Sequence, residues 1–104
     1  MAGLRIDVAT DGASAVMTLA GEADLAVAEA LFEHGAVALA QDGVADLTID
    51  LEQVSFIDST SIGALVRLNN LVADSGQTIA LTRVPARVAR ILQIAGLTGV
   101  FDIS

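Results

Sequence analysis

One run constrains the fold more than any other: LTIDLEQVSFIDSTSIG, positions 47–63. Positions 47–51 are apolar enough, and short enough, to predict a buried strand. A short connection, a second apolar touch at Phe56 and Ile57, and a helix start follow in that order. Asp58 and Ser59 are the residue types that cap helices, because their side-chain oxygens accept from the free N–H groups of a first turn. Ser59, Thr60 and Ser61 therefore place three hydroxyls where those N–H groups emerge. In its plain form such a cluster is only a cap. A helix start also tolerates negative charge. A phosphate there would leave the helix folded and transform the local surface.

The rest of the chain predicts elements that can pack on such a strand. Positions 4–8 alternate apolar and polar, as a half-buried strand does. Asp11-Gly12 is a hairpin signal, and 15–19 reads as the antiparallel return strand. Asp24 is a candidate N-cap for a helix over about 25–41, with Leu25, Ala28, Phe32, Ala36 and Leu39 as its buried stripe. Asp42-Gly43 is turn chemistry that ends it. A helix over 59–75 carries Ile62, Leu65, Val66, Leu68 and Val72. Positions 78–82 predict a fourth strand. Pro85 suits the first turn of a helix over 85–95, with Val88, Ile91, Leu92 and Ala95 inward and Gly96 as the stop. A short strand over 100–103 closes the series. The order β-β-α-β-α-β-α-β implies one α/β domain over 1–104, with a mixed, mainly parallel sheet packed by helices.

Composition narrows the function. Hydrophobic residues make up 54% of the 104 positions, yet there is no Trp or Tyr and only 3 Phe, so the core must be aliphatic. The net charge is −8, with 5 basic residues, all Arg. That balance argues against nucleic acid and anionic membranes as partners. It suits a protein that meets a basic or mixed protein surface, although acidity also simply keeps an apolar domain soluble. The N-terminal residues are charged too early for a signal peptide, and no segment has the length of a membrane span. The expectation is a soluble, cytoplasmic protein.

Catalytic chemistry has little to build on. There is no Cys, and the single His, His34, falls near the charged face of the first helix, without a ligand or nucleophile at a useful spacing. No glycine-rich phosphate loop occurs. Asp50, Glu52 and Asp58 lie close in sequence, but a phosphoaspartate site usually relies on a Lys, and a structural role is the better reading. Arg83, Arg87 and Arg90 read as a solvated basic face. Neither an enzyme, nor a cofactor, nor a metal site is expected.

The central run also carries a resemblance. Asp58-Ser59-Thr60-Ser61-Ile62-Gly63, preceded by Val54-Ser55-Phe56-Ile57, resembles the signature of the STAS domain. More narrowly it resembles the small bacterial anti-sigma factor antagonists, whose pattern is Asp-Ser-Ser/Thr-Gly-Leu-Gly. Gly21-Glu22-Ala23-Asp24 is similar to their Gly-Glu-Leu-Asp segment, and Ala95-Gly96-Leu97 with Phe101 to their Gly-Leu ending. Ser61 stands where the family usually has Gly. The resemblance implies a STAS fold and a binding module, not an enzyme. The implied partner is an anti-sigma factor of the serine/threonine kinase type, whose capture frees a sigma factor. That kinase would phosphorylate the antagonist and end binding, and a phosphatase would restore it. By position, Thr60 matches the phosphoacceptor, with Ser59 the second candidate. Asp24, Asp58, Ser59, Thr60 and Ser61 form the implied partner surface. The alternative within the same family is an unphosphorylated STAS scaffold subunit of a sensory or lipid-transport complex.

Overall fold

In the computed structural model, which describes residues 3–97 and 99–103, five strands form one sheet whose spatial order, β1-β2-β3-β4-β5, is also their chain order. The elements are β1 (Leu4–Asp11), β2 (Ser14–Ala23), α1 (Leu25–Ala40), β3 (Asp46–Ile57), α2 (Ser59–Leu71), β4 (Thr78–Thr82), α3 (Ala86–Ile94) and β5 (Asp102–Ile103). β1 and β2 form the expected antiparallel hairpin around Gly12, whose φ of 63° suits a residue without Cβ. Every later pairing is parallel. Parallel neighbours need a crossover, and each crossover here carries one helix. Because crossovers are right-handed and always step in one direction along the sheet, the three helices share one face.

Alternation along the strands divides the residues between the two faces. Ala15, Met17 and Leu19 of β2, Leu47, Ile49 and Leu51 of β3, and Ile79 and Leu81 of β4 are buried. Leu31 of α1, Leu65 and Leu68 of α2, and Val88 and Leu92 of α3 join them in one aliphatic cluster. The opposite face, with Val16, Thr18, Thr48, Ala80 and Thr82, is only half-covered. α1 and α2 also pack on each other. At Gly35 an added Cβ would lie 2.7 Å from a methyl of Leu68, so glycine sets how closely the two helices approach.

Several expectations need correction. The strand foreseen over 47–51 runs on to Ile57, with no connection before Phe56. Its partner β2 is ten residues long and keeps the ladder going. β3 carries an extra residue in two places, opposite the steps Thr18/Ala20 and Gly21/Glu22. These irregularities rephase the strand, so its buried residues fall at Ile49, Leu51, Val54 and Ile57 rather than at every second position. Phe56 is consequently 47% exposed, while its neighbour Ile57 is buried. In α1 the inward stripe is Ala28, Leu31, Gly35 and Ala38, with Leu39 beside it. Leu25, at the first helical position beyond the sheet's end, is 73% exposed, and Phe32 and Ala36 sit at the margin. α2 stops at Leu71, four residues short of the expected end, where turns take over. Pro85 holds the cap position of α3 rather than its first turn, and Ala95 is exposed. Gly96, with φ 76°, does end α3: the Leu97 N–H reaches the Leu92 carbonyl at 2.9 Å and the Gly96 N–H reaches Gln93 at 3.0 Å.

Candidate functional site

Two adjacent parallel strands end together, and each hands over to a helix. Ala23 of β2 pairs with Ile57 of β3, and the next residues, Asp24 and Asp58, are the N-caps of α1 and α2. The Asp24 carboxylate accepts from the Ala26 N–H at 3.0 Å. That of Asp58 accepts from the Ser61 N–H at 2.9 Å. The two caps are tied to each other through the backbone, since the Asp58 N–H donates to the Ala23 carbonyl at 3.0 Å. Two helix N-termini with their positive dipole ends thus lie side by side at one end of the sheet.

The three hydroxyls of the central run separate sharply in this geometry. Ser59 and Thr60 are exposed, whereas Ser61 is fully buried. The Ser61 hydroxyl donates to the Asp24 carbonyl at 3.2 Å and so stitches the start of α2 to the start of α1. Its assignment to the exposed partner surface is therefore corrected. A residue three positions into a helix points back along the axis and inward, and here it meets the neighbouring cap rather than solvent. Ser61 thus has a structural task at the junction of the two helix starts.

Thr60 opens onto a shallow groove of about 480 Å³ between α1 and α2, lined also by Leu25, Ala28, Glu29, Gly63, Ala64 and Arg67. Arg67 donates to Glu29 at 3.0 Å and stacks 4.0 Å over the ring of Phe32, closing the far end. Leu25 and Phe56 add exposed apolar surface near the two caps. Leu25 reads as core from its helical spacing, and the pattern around Phe56 leaves its exposure open. Only the position of the sheet's end and the irregularities in β3 reveal them as surface, and neither is written in local periodicity.

The remaining candidates have structural roles. The Asp50 carboxylate is buried and accepts from the Glu52 N–H at 3.0 Å and from Arg83 Nε at 3.1 Å, with a second Arg83 nitrogen also in contact. Burial pushes the Asp50 carboxyl up, but the hydrogen bonds from Arg83 and Glu52 and the Arg83 charge outweigh it and hold the pKa below its ordinary value. The same pairing raises Arg83 further. Arg83 also lies 3.3 Å from Glu52, and it does so from a left-handed backbone with φ 51°. Arg83 is therefore not a free member of a basic face. Arg87 donates to the Ser55 carbonyl at 2.7 Å. His34 is exposed, with Nδ1 2.7 Å from the Ala30 carbonyl. Among the described residues no group of three or more His, Asp or Glu side chains is placed to hold a metal. No described helix is long and apolar enough to cross a membrane.

Fold and site together define a small α/β domain with two capped helix starts and two exposed hydroxyls at one end. Comparison with known proteins places it more closely. The family model described as "Mlab, STAS domain" matches residues 6–102. The anti-sigma-B factor antagonist of Bacillus subtilis (strain 168) is 36% identical over 101 residues, covering 97% of this chain and 91% of that protein. Among solved structures, an anti-sigma factor antagonist from Mycobacterium paratuberculosis superposes with a TM-score of 0.85 at 22% identity, over 97% of this chain and 85% of that one. The anti-sigma factor antagonist SpoIIAA in its unphosphorylated form gives 0.73 at 25% identity, over 98% and 88%. In its phosphorylated form the Bacillus protein gives 0.75 at 19%, over 96% and 91%. The chain belongs to the STAS domain family and, within it, to the anti-sigma factor antagonists.

Proposed function

We propose that this antagonist binds an anti-sigma factor of the serine/threonine kinase type through the end of the sheet where α1 and α2 begin, and that phosphorylation of Thr60 switches the binding off. The observation that carries the reading is the separation of the hydroxyls: Ser59 and Thr60 are exposed beside the Asp24 and Asp58 caps, and Ser61 is buried. A relative, SpoIIAA, has been solved both with and without phosphate, which supports a switch of this kind. Leu25 and Phe56 supply apolar anchors, and the groove between the helices supplies relief for a partner side chain.

The physics of the switch is local. A phosphate on Thr60 brings roughly −1.5 to −2 charges at neutral pH. The helix dipole accommodates it in the free protein, so the fold survives. At a closed interface the same charge must be desolvated beside Asp58, at a cost of several kcal/mol by the usual scale of buried interfacial charge. Each 1.4 kcal/mol is about tenfold in affinity. A phosphatase then resets the switch in the cytoplasm. Ser59 is the second candidate acceptor.

Mass spectrometry after incubation with the cognate kinase and ATP tests the assignment. Thr60→Ala should abolish the modification, and Thr60→Glu should weaken partner binding at least about tenfold while leaving the melting temperature nearly unchanged. Full phosphorylation of Thr60→Ala would move the acceptor to Ser59. Unweakened binding by Thr60→Glu would remove the charge mechanism.

A further inference from the structure

The hairpin strand β1 leaves one long edge of the sheet without a described neighbour, and its chemistry is self-complementary. β1 is the terminal strand of the sheet order and eight residues long. The phase of its backbone follows from one bond: the Glu22 N–H donates to the Gly3 carbonyl at 2.9 Å, so this opposed pair is a hydrogen-bonded one. Opposed residues alternate between bonded and non-bonded pairs in an antiparallel ladder. Arg5, Asp7, Ala9 and Asp11 therefore direct their backbone groups toward β2. Leu4, Ile6, Val8 and Thr10 direct theirs outward, free to pair with another strand.

We infer that this edge pairs with a second copy of the chain, antiparallel about a two-fold axis through Val8, to give one continuous ten-stranded sheet. A two-fold axis on Val8 or on Asp7 pairs the most of β1, and Val8 is the choice because an axis on Asp7 would set two carboxylates face to face. Ile6 then faces Thr10 of the second copy, and Arg5 faces Asp11 of the second copy, twice by symmetry. Shifting the axis to Ile6 still sets Arg5 against an acid, Asp7. In the single chain Arg5 reaches only its own Asp7, at 3.0 Å, with both side chains mostly exposed. The opposite side of the strand supplies apolar surface. Val8 is 40% and Val37 of α1 61% exposed, and they line a groove of about 440 Å³ with Ala38 and Thr10. An axis at Val8 brings the two Val8 side chains together at the mouth of both grooves. The edge carries no Pro, no Lys and no bulge in its pairing with β2, and its charged residues, Arg5, Asp7 and Asp11, include the pair that a second copy complements. The inference is independent of the phosphorylation reading, because Thr60 follows β3, two strands in from this edge.

Sedimentation velocity of the full chain, from micromolar to millimolar, reads the association directly. The expected result is a concentration-dependent dimer. Hydrogen exchange should then show the Ile6, Val8 and Thr10 amides slowing as concentration rises, while the amides that face β2 stay unchanged. Val8→Lys places a charge on the axis at an exposed position and should leave a folded monomer. Arg5→Asp should weaken the dimer about tenfold, and Arg5→Asp combined with Asp11→Arg should restore it. A wild-type chain that stays monomeric at millimolar concentration overturns the inference. So does a dimer that survives Val8→Lys, or edge amides that are protected only when an anti-sigma partner is added.

Discussion

Ser61 shows how one side chain can be read correctly as chemistry and wrongly as location. Its type and its place in the helix start were plain, but whether it faced solvent depended on the neighbouring cap, which is far away in sequence. Its hydroxyl now bridges to the Asp24 carbonyl from a fully buried position. Ser61→Ala should lower stability by about 1 kcal/mol, the net worth of one such bond, and leave kinase-dependent phosphate incorporation unchanged. A denaturation curve and a phosphorylation assay read the two effects separately. Asp50 offers a second measurement. Its folded pKa lies below the ordinary value of 3.8, so its contribution is complete above that pH and is lost as pH falls through the folded value. Asp50→Asn should cost roughly 1 kcal/mol at pH 7. Part of the Arg83 contribution is lost to screening, because that side chain is more than half exposed. The difference between variant and wild type should shrink on acidification below pH 3.8, as melting curves across that range would show.

The elements divide by what local sequence can carry. β4 has the bounds its pattern predicts, and both Asp caps stand where the residue types put them, because these features depend on neighbours in the chain. β3 and α1 departed from expectation because their surroundings are supplied by distant segments. The extra residues in β3 shift the buried phase from period two, and α1 overshoots the sheet so that its first Leu meets solvent. The end of the domain proposed to meet the partner lies where these departures occur, so its acidic and hydroxyl residues were legible while the exposure of Leu25 and Phe56 was not. Two glycines in the helices make an instructive pair. Gly35→Leu drives a side chain into buried Leu68 and should cost at least about 2 kcal/mol by overpacking. Gly63→Ala meets nothing within 4 Å and should gain about 0.5–1 kcal/mol from helix propensity. Thermal melts of both variants test that contrast. Gly63 also lines the groove at Thr60, so a partner that uses the groove would bind the stabilised variant less well.

At the scale of the whole molecule, one cluster unites β2, β3 and β4 with all three helices, and it includes Phe101 ahead of the last strand. Unfolding should accordingly be a single cooperative event, with equal calorimetric and van't Hoff enthalpies; a second transition in the calorimeter would contradict this. The sheet's order has a consequence for how the chain comes to be assembled. Every strand after the first lies against its immediate predecessor, so no strand has to slip between two that are already joined. The ladder can lengthen at one side only, in the direction in which a ribosome releases the chain. The hairpin of β1 and β2 is a local start, and each helix-and-strand unit that emerges later finds its seat already prepared.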